Sequence, residues 1–451
     1  MYIPYVARLC AVLMLGLMGC TAARDAAWPE PRPLGEAIPA YRPSVEASIA
    51  QSPFVDASDS TITLSDALAL SLLHNPELRA FAWEVRAREA RVLQAGLPPN
   101  PEVGGEVENF NGSGSLGGFG AAEVTFGLSH LVELGGDRIR RKQVAALERN
   151  LAGWDYETVR LDVLTQTAQA YATVLAAQER LSLSNNLREQ SEQFYATVKA
   201  RVEAGKVSAL EERRASVVLT TAQVDYASAI RDLLRTRSFL ASMWGSTWEP
   251  PFNNAQGALD EVEEVPIFEE LEAFIERNPD VARWRDEMAL RRADVALEKA
   301  VRVPDPIVGV GTRRLRDLGA SALTAGVSIP LPLFNRNQGA IREARYRIKE
   351  AEEAGRAAVV MAHRLFVDAY QRLSIADAEV AALRDEILPA AQESFSATQE
   401  GYREGKFDLL TVLDAQRTFF EAMNRYIDAL ETYHVTRAEV ERLIGTPLSD
   451  I

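Results

Sequence analysis

The stretch EGKFDLLTVLDAQR at residues 404–417 has a counterpart, AGKVSALEERRA, at residues 204–215. In both, a Gly-Lys pair interrupts a long polar-apolar periodicity, and Gly205 and Gly405 are 200 positions apart. Glycine readily adopts the left-handed backbone conformation that ends a helix. Each stretch therefore predicts a long helix, a tight turn and a second helix, and so the tip of a helical hairpin.

The residues after each glycine predict how the second helix begins. Ser208 and Glu211 have the S-x-x-E spacing of a capping box. Asp408 occupies the position that matches Ser208 and can cap the second hairpin with its carboxylate. A hairpin needs a turn in any case, so these tips could be only structural. Apolar groups close to both turns favour a docking role: Val207, Leu210, Phe407 and Leu410.

The two hairpins belong to a duplication that runs through the chain. Paired segments recur at offsets between 199 and 205 positions, which is the signature of an internal repeat. The pairs are HNPELRAFAWEVRAREA (74–90) with RNPDVARWRDEMALRRA (277–293), PNPEVGG (99–105) with PDPIVGV (304–310), and FGLSHLVELGGDR (126–138) with AGVSIPLPLFNRN (325–337). We predict a first repeat at 63–248, a linker at 249–266 and a second repeat at 267–447.

Each repeat predicts the same succession of helices. The predicted spans are 64–96 and 267–301 for the first helix, 137–203 and 336–403 for the long helix, and 208–244 and 408–444 for the last helix. Apolar residues in the long helices alternate at spacings of three and four, which is typical of coiled coils. A helix of about 65 residues reaches roughly 100 Å, too long for a compact domain. Pro389 predicts a kink in the second long helix.

Two β-hairpins, at 101–131 and 305–331, separate the first helix from the long helix in each repeat. Their strands, at 102–110, 121–131, 306–314 and 322–330, alternate apolar and polar residues and are long enough to cross a bilayer. A half-buried sheet in water gives the same alternation. Because sheet edges cannot face lipid, four membrane strands require further copies of the chain. Two copies would give eight strands with a plugged interior, and three would give twelve with a pore.

The N-terminal residues predict export and a lipid anchor. Residues 1–19 read as a signal peptide that ends in Leu17-Met18-Gly19 before Cys20, which resembles a lipoprotein cleavage site. Cys20 is the predicted lipidation site, and residues 20–62 form a proline-rich extended tether. No other stretch has eighteen consecutive apolar residues, so any span of a membrane must be made by strands.

Composition argues against several other classes of function. The formal net charge of −15 disfavours nucleic acid as a partner. The chain has two cysteines and four scattered histidines, and it contains no H-E-x-x-H, C-x-x-C or G-x-S-x-G motif. We therefore expect no enzymatic activity, no cofactor and no resident metal site.

The chain resembles the TolC family of outer-membrane efflux channels over residues 63–447. The resemblance rests on HNPELRA, RNPDV, ELGGDR, PLPLFNRNQG and GYREGKFDLLTVLDAQ. It is strongest to the branch with CzcC-like and CusC-like channels of heavy-metal efflux. It implies a membrane α+β fold in which three chains close a twelve-stranded β-barrel in the Gram-negative outer membrane. It also implies that the coiled-coil hairpins form a periplasmic tunnel, which passively conducts substrates from an inner-membrane pump of the RND type and a periplasmic adaptor.

The same resemblance implies the functional residues. The tips should contact the adaptor through Gly205, Lys206, Val207, Ser208, Leu210, Gly405, Lys406, Phe407, Asp408 and Leu409. Some relatives have a gating aspartate about nine residues before the second tip glycine, but this chain has Ser396 and Gln399 near that place. Acidic residues close by are candidate lumenal gate acids: Glu393, Glu400 and Glu404. They could equally be solvated charges on a helix surface.

Two alternatives remain open at this point. The cargo could be organic compounds instead of metal cations, with the same fold. A periplasmic adaptor lipoprotein also has a lipidated N-terminus and a coiled-coil hairpin. Adaptors have one hairpin flanked by all-β domains, however, whereas this sequence predicts two hairpins and four barrel strands.

Overall fold

The computed structural model describes residues 61–247 and 250–448. The predicted signal peptide at 1–19, the lipidation site Cys20 and the tether up to residue 60 lie outside the described residues.

Helices form most of both repeats. The first repeat contains α1 (Leu64–His74), α2 (Pro76–Ala95), α3 (Asp137–Glu203) and α4 (Ala209–Ser242). The second contains α5 (Phe268–Glu272), α6 (Pro279–Ala300), α7 (Gln338–Ala382), α8 (Leu388–Arg403) and α9 (Leu409–Ile444). With 67 residues, α3 is about 100 Å long, as its periodicity predicted. None of the helices in the described residues is both long enough and apolar enough to span a membrane.

The prediction of one continuous first helix in each repeat is wrong. The helices break before Pro76 and Pro279, because proline has no N–H for a preceding turn and fits the first helical position instead. The preceding asparagines, Asn75 and Asn278, cap the new helices with their side-chain oxygens. Their amide groups donate to main-chain carbonyls at the end of the last helix of the same repeat.

The second long helix contains a π-helical turn at Leu383–Ile387, directly before Pro389. The offset between repeats grows from 199 positions at Tyr171 and Tyr370 to 200 at the two turn glycines. A π turn accommodates one extra residue without breaking the helix, and the missing N–H of Pro389 is tolerated there. The kink expected at Pro389 thus corresponds to a local widening of the helix.

Four strands form one antiparallel sheet, and their order across the sheet is the same as their order along the chain. Their bounds are β2 (Glu102–Glu108), β3 (Glu123–Leu131), β5 (Ile307–Leu315) and β6 (Ala320–Ser328), within two residues of the predicted spans. The central pairing joins the two repeats, because β3 of the first lies beside β5 of the second. The outer strands β2 and β6 are left as the edges of the sheet.

A second, small sheet joins the start of the described chain to the linker. Its strands β1 (Thr61–Ile62) and β4 (Asn254–Ala255) pair in parallel. The Tyr171 hydroxyl of α3 reaches both strands, at 3.0 Å from the Ile62 carbonyl oxygen and 2.5 Å from that of Gln256. The main core lies farther along the helices, where Phe366 and Leu373 of α7 pack with Tyr433 of α9.

Candidate docking tips and channel wall

The first hairpin tip is a glycine-terminated helix end. Gly205 has a φ of 67°, and the Lys206 N–H donates to the Arg201 carbonyl oxygen at 2.9 Å. This bond spans six residues and satisfies a carbonyl that the helix end would otherwise leave free. The turn leaves Lys206 and Leu210 exposed and Val207 half-buried.

The predicted capping box at this tip is wrong. Ser208 is the N-cap residue of α4, but its side chain makes no capping hydrogen bond. Its main-chain carbonyl oxygen accepts instead from the Glu211 N–H at 3.0 Å. Two carboxylates in the first turn, Glu211 and Glu212, lie where they stabilise the positive end of the helix dipole.

The second tip has the same turn, and an aromatic ring packs closely over it. Gly405 has a φ of 76°, and the Lys406 N–H donates to the Gly401 carbonyl oxygen at 2.7 Å. The Phe407 ring lies over Gly401, where an added Cβ atom would meet the ring at 2.2 Å. The Lys406 ammonium forms an ion pair with Glu404.

Asp408 caps α9, as the sequence predicted. Its carboxylate accepts from the Thr411 hydroxyl at 2.6 Å and from the Thr411 N–H at 2.9 Å. The hydrogen bonds from the Thr411 side chain and main chain hold the pKa of Asp408 below its usual value.

The two tips lie side by side and share a small core. The Arg201 guanidinium stacks over the Tyr402 ring at 4.7 Å from its centroid, and Phe194 packs against the same ring. Leu409 belongs to this core and is only 3% exposed. The prediction that Leu409 contacts the adaptor is therefore wrong, because its side chain packs inside the tip. Leu410, 51% exposed, takes the surface position that matches Leu210.

The candidate gate acids form one exposed stripe along α8 and its C-cap residue Glu404. Glu393, Glu400 and Glu404 are seven and four residues apart, so they share one helix face. The buried residues Phe395 and Tyr402 occupy the opposite face. The structure thus brings the three carboxylates together along a surface of the protomer, and their role as a gate stays a prediction.

The register of the four-stranded sheet places most of the apolar residues on one face and most of the polar residues on the other. The exceptions are His130, Thr312, Arg314 and Ser321 on the apolar face and, on the polar face, Leu131, Ile307, Leu315 and the alanines at 320 and 322. Paired positions in neighbouring strands point to the same face. One face carries Val103, Val107, Val124, Phe126, Leu128, Val308, Val310, Leu323, Ala325 and Val327. The other carries Glu102, Glu106, Glu108, Glu123, Thr125, Ser129, Arg313 and Thr324. Many of the apolar side chains are exposed in the single chain, which suits a face turned toward lipid.

Arg313 organises the polar face across three strands. Its guanidinium lies 3.1 Å from Glu108 and 3.0 Å from Glu123, and it donates to the Thr125 hydroxyl at 3.0 Å. Sequence reasoning missed this group, because it registered Arg313 only as a polar position in the alternation. The register that brings residues 190 positions apart together could not be read from the sequence.

The junction between β3 and α3 holds a buried carboxyl that sequence reasoning also missed. Asp137 is 6% exposed, and its Oδ1 atom has no hydrogen-bond partner. Burial, and then the nearby Asp305 carboxylate, raise the pKa of Asp137, against the lowering effect of Arg141. Gly135 lies against this group and against the Ala300 carbonyl oxygen.

No cluster of three or more His, Cys, Asp or Glu side chains in the described residues is arranged to hold a metal ion.

A family model described as outer membrane efflux protein matches residues 67–246 and 271–446, one segment in each repeat. The chain belongs to this family. Outer membrane efflux proteins are channels of the outer membrane that extend into the periplasm, so the predicted family, location and efflux function are confirmed.

Individual relatives agree with this placement. The cobalt-zinc-cadmium resistance protein CzcC of Cupriavidus metallidurans is 33% identical over 384 residues, covering 85% of this chain and 90% of that protein. The pyoverdine export outer membrane protein OpmQ of Pseudomonas aeruginosa is 25% identical over 386 residues, covering 80% of each chain. Among solved structures, CusC superposes with a TM-score of 0.74 at 18% identity, covering 90% of this chain and 98% of that one. The CusC likeness confirms the predicted fold class.

Proposed function

We propose that this efflux channel serves a tripartite system that exports heavy-metal cations. The observation that supports metal cations as the cargo is the 33% identity to a cobalt-zinc-cadmium resistance protein along 85% of this chain. In this proposal the channel is a trimer that works with a periplasmic adaptor and an inner-membrane pump of the RND type. The channel is passive, and the pump supplies the energy.

A trimer gives the sheet a closed form. The edges of β2 and β6 have unpaired main-chain groups, which cannot face lipid. Three copies contribute twelve strands and leave a pore, whereas two would give eight strands and a filled interior. The apolar face then contacts the lipid, and the face with Arg313 and the glutamates lines the pore. The lipid anchor at Cys20 would add a second attachment to the same membrane.

The hairpin tips are the docking surface for the adaptor in this proposal. Both turns expose a lysine beside the glycine and a leucine five residues after it, Leu210 and Leu410. The two tips share one core, so they present these groups on a common support. Phe407 adds an aromatic group at the second tip that is 46% exposed.

Carboxylates on the route are consistent with cationic cargo. Glu102 and Glu106 on the polar face of β2 are exposed, and the stripe of Glu393, Glu400 and Glu404 adds three carboxylates per chain near the tips. A surface of this sign raises the local concentration of cations. Export of organic compounds is the second candidate, favoured by the 25% identity to a pyoverdine export protein over 386 residues.

A growth-inhibition panel on a clean deletion strain tests the cargo. Divalent and monovalent metal ions are compared with dyes, detergents and antibiotics, with the chain restored from a plasmid as the control. We expect hypersensitivity to divalent metal ions alone, reversed by the plasmid. Hypersensitivity to organic compounds alone would contradict metal cargo and support the second candidate.

A further inference from the structure

The long helix of the first repeat has more neighbours than the long helix of the second. α3 packs against α2 and α4 of its own repeat and also against α6 and α9 of the second repeat. α7 packs mainly against α6 and α9 of its own repeat. In the duplication, α2 corresponds to α6 and α4 corresponds to α9. The helices that would cover α7 as α6 and α9 cover α3 are therefore α2 and α4 of another copy of the chain.

The surfaces that this symmetry leaves uncovered are apolar in the single chain. On α7 they include Ile375, which is 65% exposed. On α2 they include Trp83, which is 70% exposed, and on α4 they include Val217 and Val224 at a spacing of seven residues. Such side chains on long helices need a partner, and the missing partners are on a second copy of this chain.

Polar contacts inside the chain show how the two repeats meet. We call this contact between α3 and the helices α6 and α9 the repeat seam. The indole N–H of Trp154 on α3 donates to Asp286 on α6 at 2.7 Å. Farther along α3, the Arg180 guanidinium lies 2.6 Å from Glu431 on α9.

The residues that correspond to the first contact lie on the two uncovered surfaces, with the donor and the acceptor exchanged between the helices. The long helices are offset by 199 positions, so the counterpart of Trp154 on α7 is Glu353. The first helices are offset by 203 positions from Asn75 to Asn278, so the counterpart of Asp286 on α2 is Trp83. An indole donor faces a carboxylate acceptor in both cases. Inside the chain the indole is on the long helix, whereas on the uncovered surfaces it is on α2.

The second contact transfers with its charges reversed. Arg180 corresponds to Glu379 on α7, and Glu431 corresponds to Arg231 on α4, where the offset is 200 positions. Arg231 is exposed, and Glu379 accepts from Arg425 at 2.7 Å within its own chain.

A third pair of positions carries opposite charges on the uncovered surfaces, although the contact inside the chain uses a main-chain carbonyl. Inside the chain, the Gln169 amide donates to the Val435 carbonyl oxygen at 3.2 Å. The corresponding positions are Asp368 on α7 and Arg235 on α4, again of opposite charge.

Another ion pair of the repeat seam transfers to uncharged residues. Asp162 on α3 lies 2.7 Å from Arg442 on α9, and their counterparts on α7 and α4 are Met361 and Ser242.

The ion pair between α3 and α6 transfers to small residues. Asp155 lies 2.8 Å from Arg283. Their counterparts on α7 and α2 are Ala354 and Ala80, which bring no like charges together.

The strands extend the same symmetry into the sheet. The pairing of β3 with β5 inside the chain maps onto β6 of one copy and β2 of the next, with offsets of 199 and 205 positions. The pair Phe126 and Thr312 becomes Ala325 and Val107, and the pair Thr125 and Arg313 becomes Thr324 and Glu108. Apolar positions thus meet apolar positions, and the polar face continues unbroken across the edge.

We propose that neighbouring protomers meet through a copy of the repeat seam in which the partners are exchanged. Three groups of one protomer, Trp83, Arg231 and Arg235, contact Glu353, Glu379 and Asp368 of the next protomer in that order. The inference rests on the proposed trimer and adds the surface, the partner groups and the register. Because a head-to-tail contact of this kind is not self-complementary, it closes into a ring instead of a two-fold dimer.

Charge exchange tests the pair formed by Arg231 and Glu379. The variants are Arg231→Glu, Glu379→Arg and the double variant, each compared with wild type by the temperature at which the trimer dissociates on semi-native gels. We expect each single variant to lower that temperature and the double variant to recover most of the loss, since opposite charges are restored at three contacts per trimer. The Arg425→Ala variant measures how much of the Glu379→Arg effect comes from the lost contact within the chain.

A crosslinking experiment tests the same geometry without relying on stability. Membranes that contain the Arg231→Cys and Glu379→Cys double variant are treated with a short bismaleimide, and products are separated on denaturing gels. We expect bands of two and three linked chains. The matched control replaces Glu379→Cys by Asp377→Cys, which lies two residues away on the other side of α7 and should give only monomer. Each cysteine variant alone measures the background, including any reaction of Cys20.

The outcomes separate this inference from the proposed function. If wild-type protein runs as a trimer but the double charge variant is no better than the worse single variant, the seam is wrong and the trimer stands. Equal crosslinking of the Asp377→Cys control would also overturn the seam. If wild-type protein is monomeric in membranes, the proposed trimer itself fails.

Discussion

At the residue scale, two adjacent glycines carry the chain from β3 into α3 for different reasons. Gly136 has a φ of 74°, which disfavours any residue with a Cβ atom. Gly135 faces a steric limit, since an added Cβ atom would lie 2.5 Å from the Ala300 carbonyl oxygen and 2.7 Å from Asp137 Oδ1. The first is a cost of backbone conformation, and the second is a collision with a main-chain oxygen and a buried side chain.

We expect Gly135→Ala to destabilise the channel more than Gly136→Ala. The Gly136→Ala variant should cost about 1–2 kcal/mol through the left-handed backbone alone. Gly135→Ala has no such backbone cost, but it must displace the end of α6 from the start of α3. Denaturant unfolding of the purified channel, followed by loss of helical signal, compares the two variants. A larger loss in Gly136→Ala would contradict the collision.

A buried histidine predicts the pH dependence of stability. His434 Nε2 lies 2.8 Å from the Leu259 carbonyl oxygen, and burial lowers the pKa of His434 despite that hydrogen bond. The unfolded chain therefore binds a proton more readily than the folded one near the ordinary histidine pKa. The stability that neutral His434 allows is present above that value and is lost as the pH falls below it.

The variant His434→Gln keeps a donor for the Leu259 carbonyl oxygen and removes the titration. We expect the midpoint temperature of unfolding of the wild type to decrease as the pH is lowered from about 8 to about 5. The decrease should be smaller in the variant. Thermal unfolding across that range measures both slopes. Equal slopes would show that other groups dominate the acid sensitivity.

The tip residues show what could be predicted from sequence at this scale. The left-handed turns at Gly205 and Gly405 were predictable, because positive φ is a local property of glycine. The cap at Asp408 formed and the box at Ser208 did not, although both have suitable side chains. Leu409 is buried and Leu410 is exposed because of the side of α9 that packs against the neighbouring hairpin. That packing is tertiary and could not be predicted from the local sequence.

At the element scale, the alternation of each strand decides which face meets lipid. Val103 and Glu102 are adjacent in β2, at nearly the same depth, and point to opposite faces. Val103 is 81% exposed in the single chain and pairs with Leu128 near the middle of β3. These two positions therefore form a matched pair for testing the orientation of the sheet.

We expect Val103→Lys to lower the amount of folded channel strongly and Glu102→Lys to have little effect. A lysine that faces lipid costs about 2–4 kcal/mol at the bilayer midplane and less toward the interface, whereas a charge on the polar face remains in water. Heat-modifiable migration of outer-membrane fractions reports the folded amount of each variant. If Glu102→Lys were the more harmful change, the sheet would be oriented the other way.

The hairpin tips can be tested as elements by changing both exposed leucines. We expect Leu210→Asp with Leu410→Asp to reduce metal resistance to the level of the deletion strain while leaving the amount of folded channel unchanged. A carboxylate at each tip removes apolar contact area and must be desolvated on docking. Growth in divalent metal ions, with folded protein measured in parallel, provides the readout.

The matched control for the tips is Leu318→Asp. Leu318 is 72% exposed in the turn between β5 and β6, at the end of the chain's strands away from the helices. We expect Leu318→Asp to retain resistance. Full resistance in the double tip variant would remove the leucines from the docking surface.

The elements that periodicity alone defines were the ones most accurately predicted. The 67 residues of α3 match the predicted span, because a long regular pattern leaves little freedom in its bounds. The breaks at Asn75-Pro76 and Asn278-Pro279 were missed, since the apolar pattern continues across them. Proline at the first helical position explains each break locally, and the contacts of the two asparagines with the far ends of α4 and α9 hold the new helices in place.

At the scale of the whole molecule, duplication links the sheet, the helices and the tips. Each repeat contributes one β-hairpin and one helical hairpin, so every contact between repeats has an equivalent position between chains. A ring of three chains then repeats each surface group three times around one axis. The stripe of Glu393, Glu400 and Glu404 would place nine carboxylates near the tip end of the tunnel.

If this stripe faces the lumen, we expect its removal to reduce cation selectivity. The change is Glu393→Gln with Glu400→Gln and Glu404→Gln, and the measurement is the reversal potential in planar bilayers under a salt gradient. Carboxylates along a narrow path raise the local concentration of cations, so their loss should shift the reversal potential toward zero. The effect should weaken at high ionic strength, because charges in water are screened.

The control for this experiment removes the same charge elsewhere. Glu269, Glu270 and Glu276 are exposed between the linker and α6, and their replacement by glutamine lowers the charge of the trimer equally. A shift in the stripe variant alone would place the three carboxylates on the conduction path. Equal shifts would show that only the total charge matters, and unchanged selectivity in the stripe variant would place Glu393, Glu400 and Glu404 on an outer surface, as solvated helix charges.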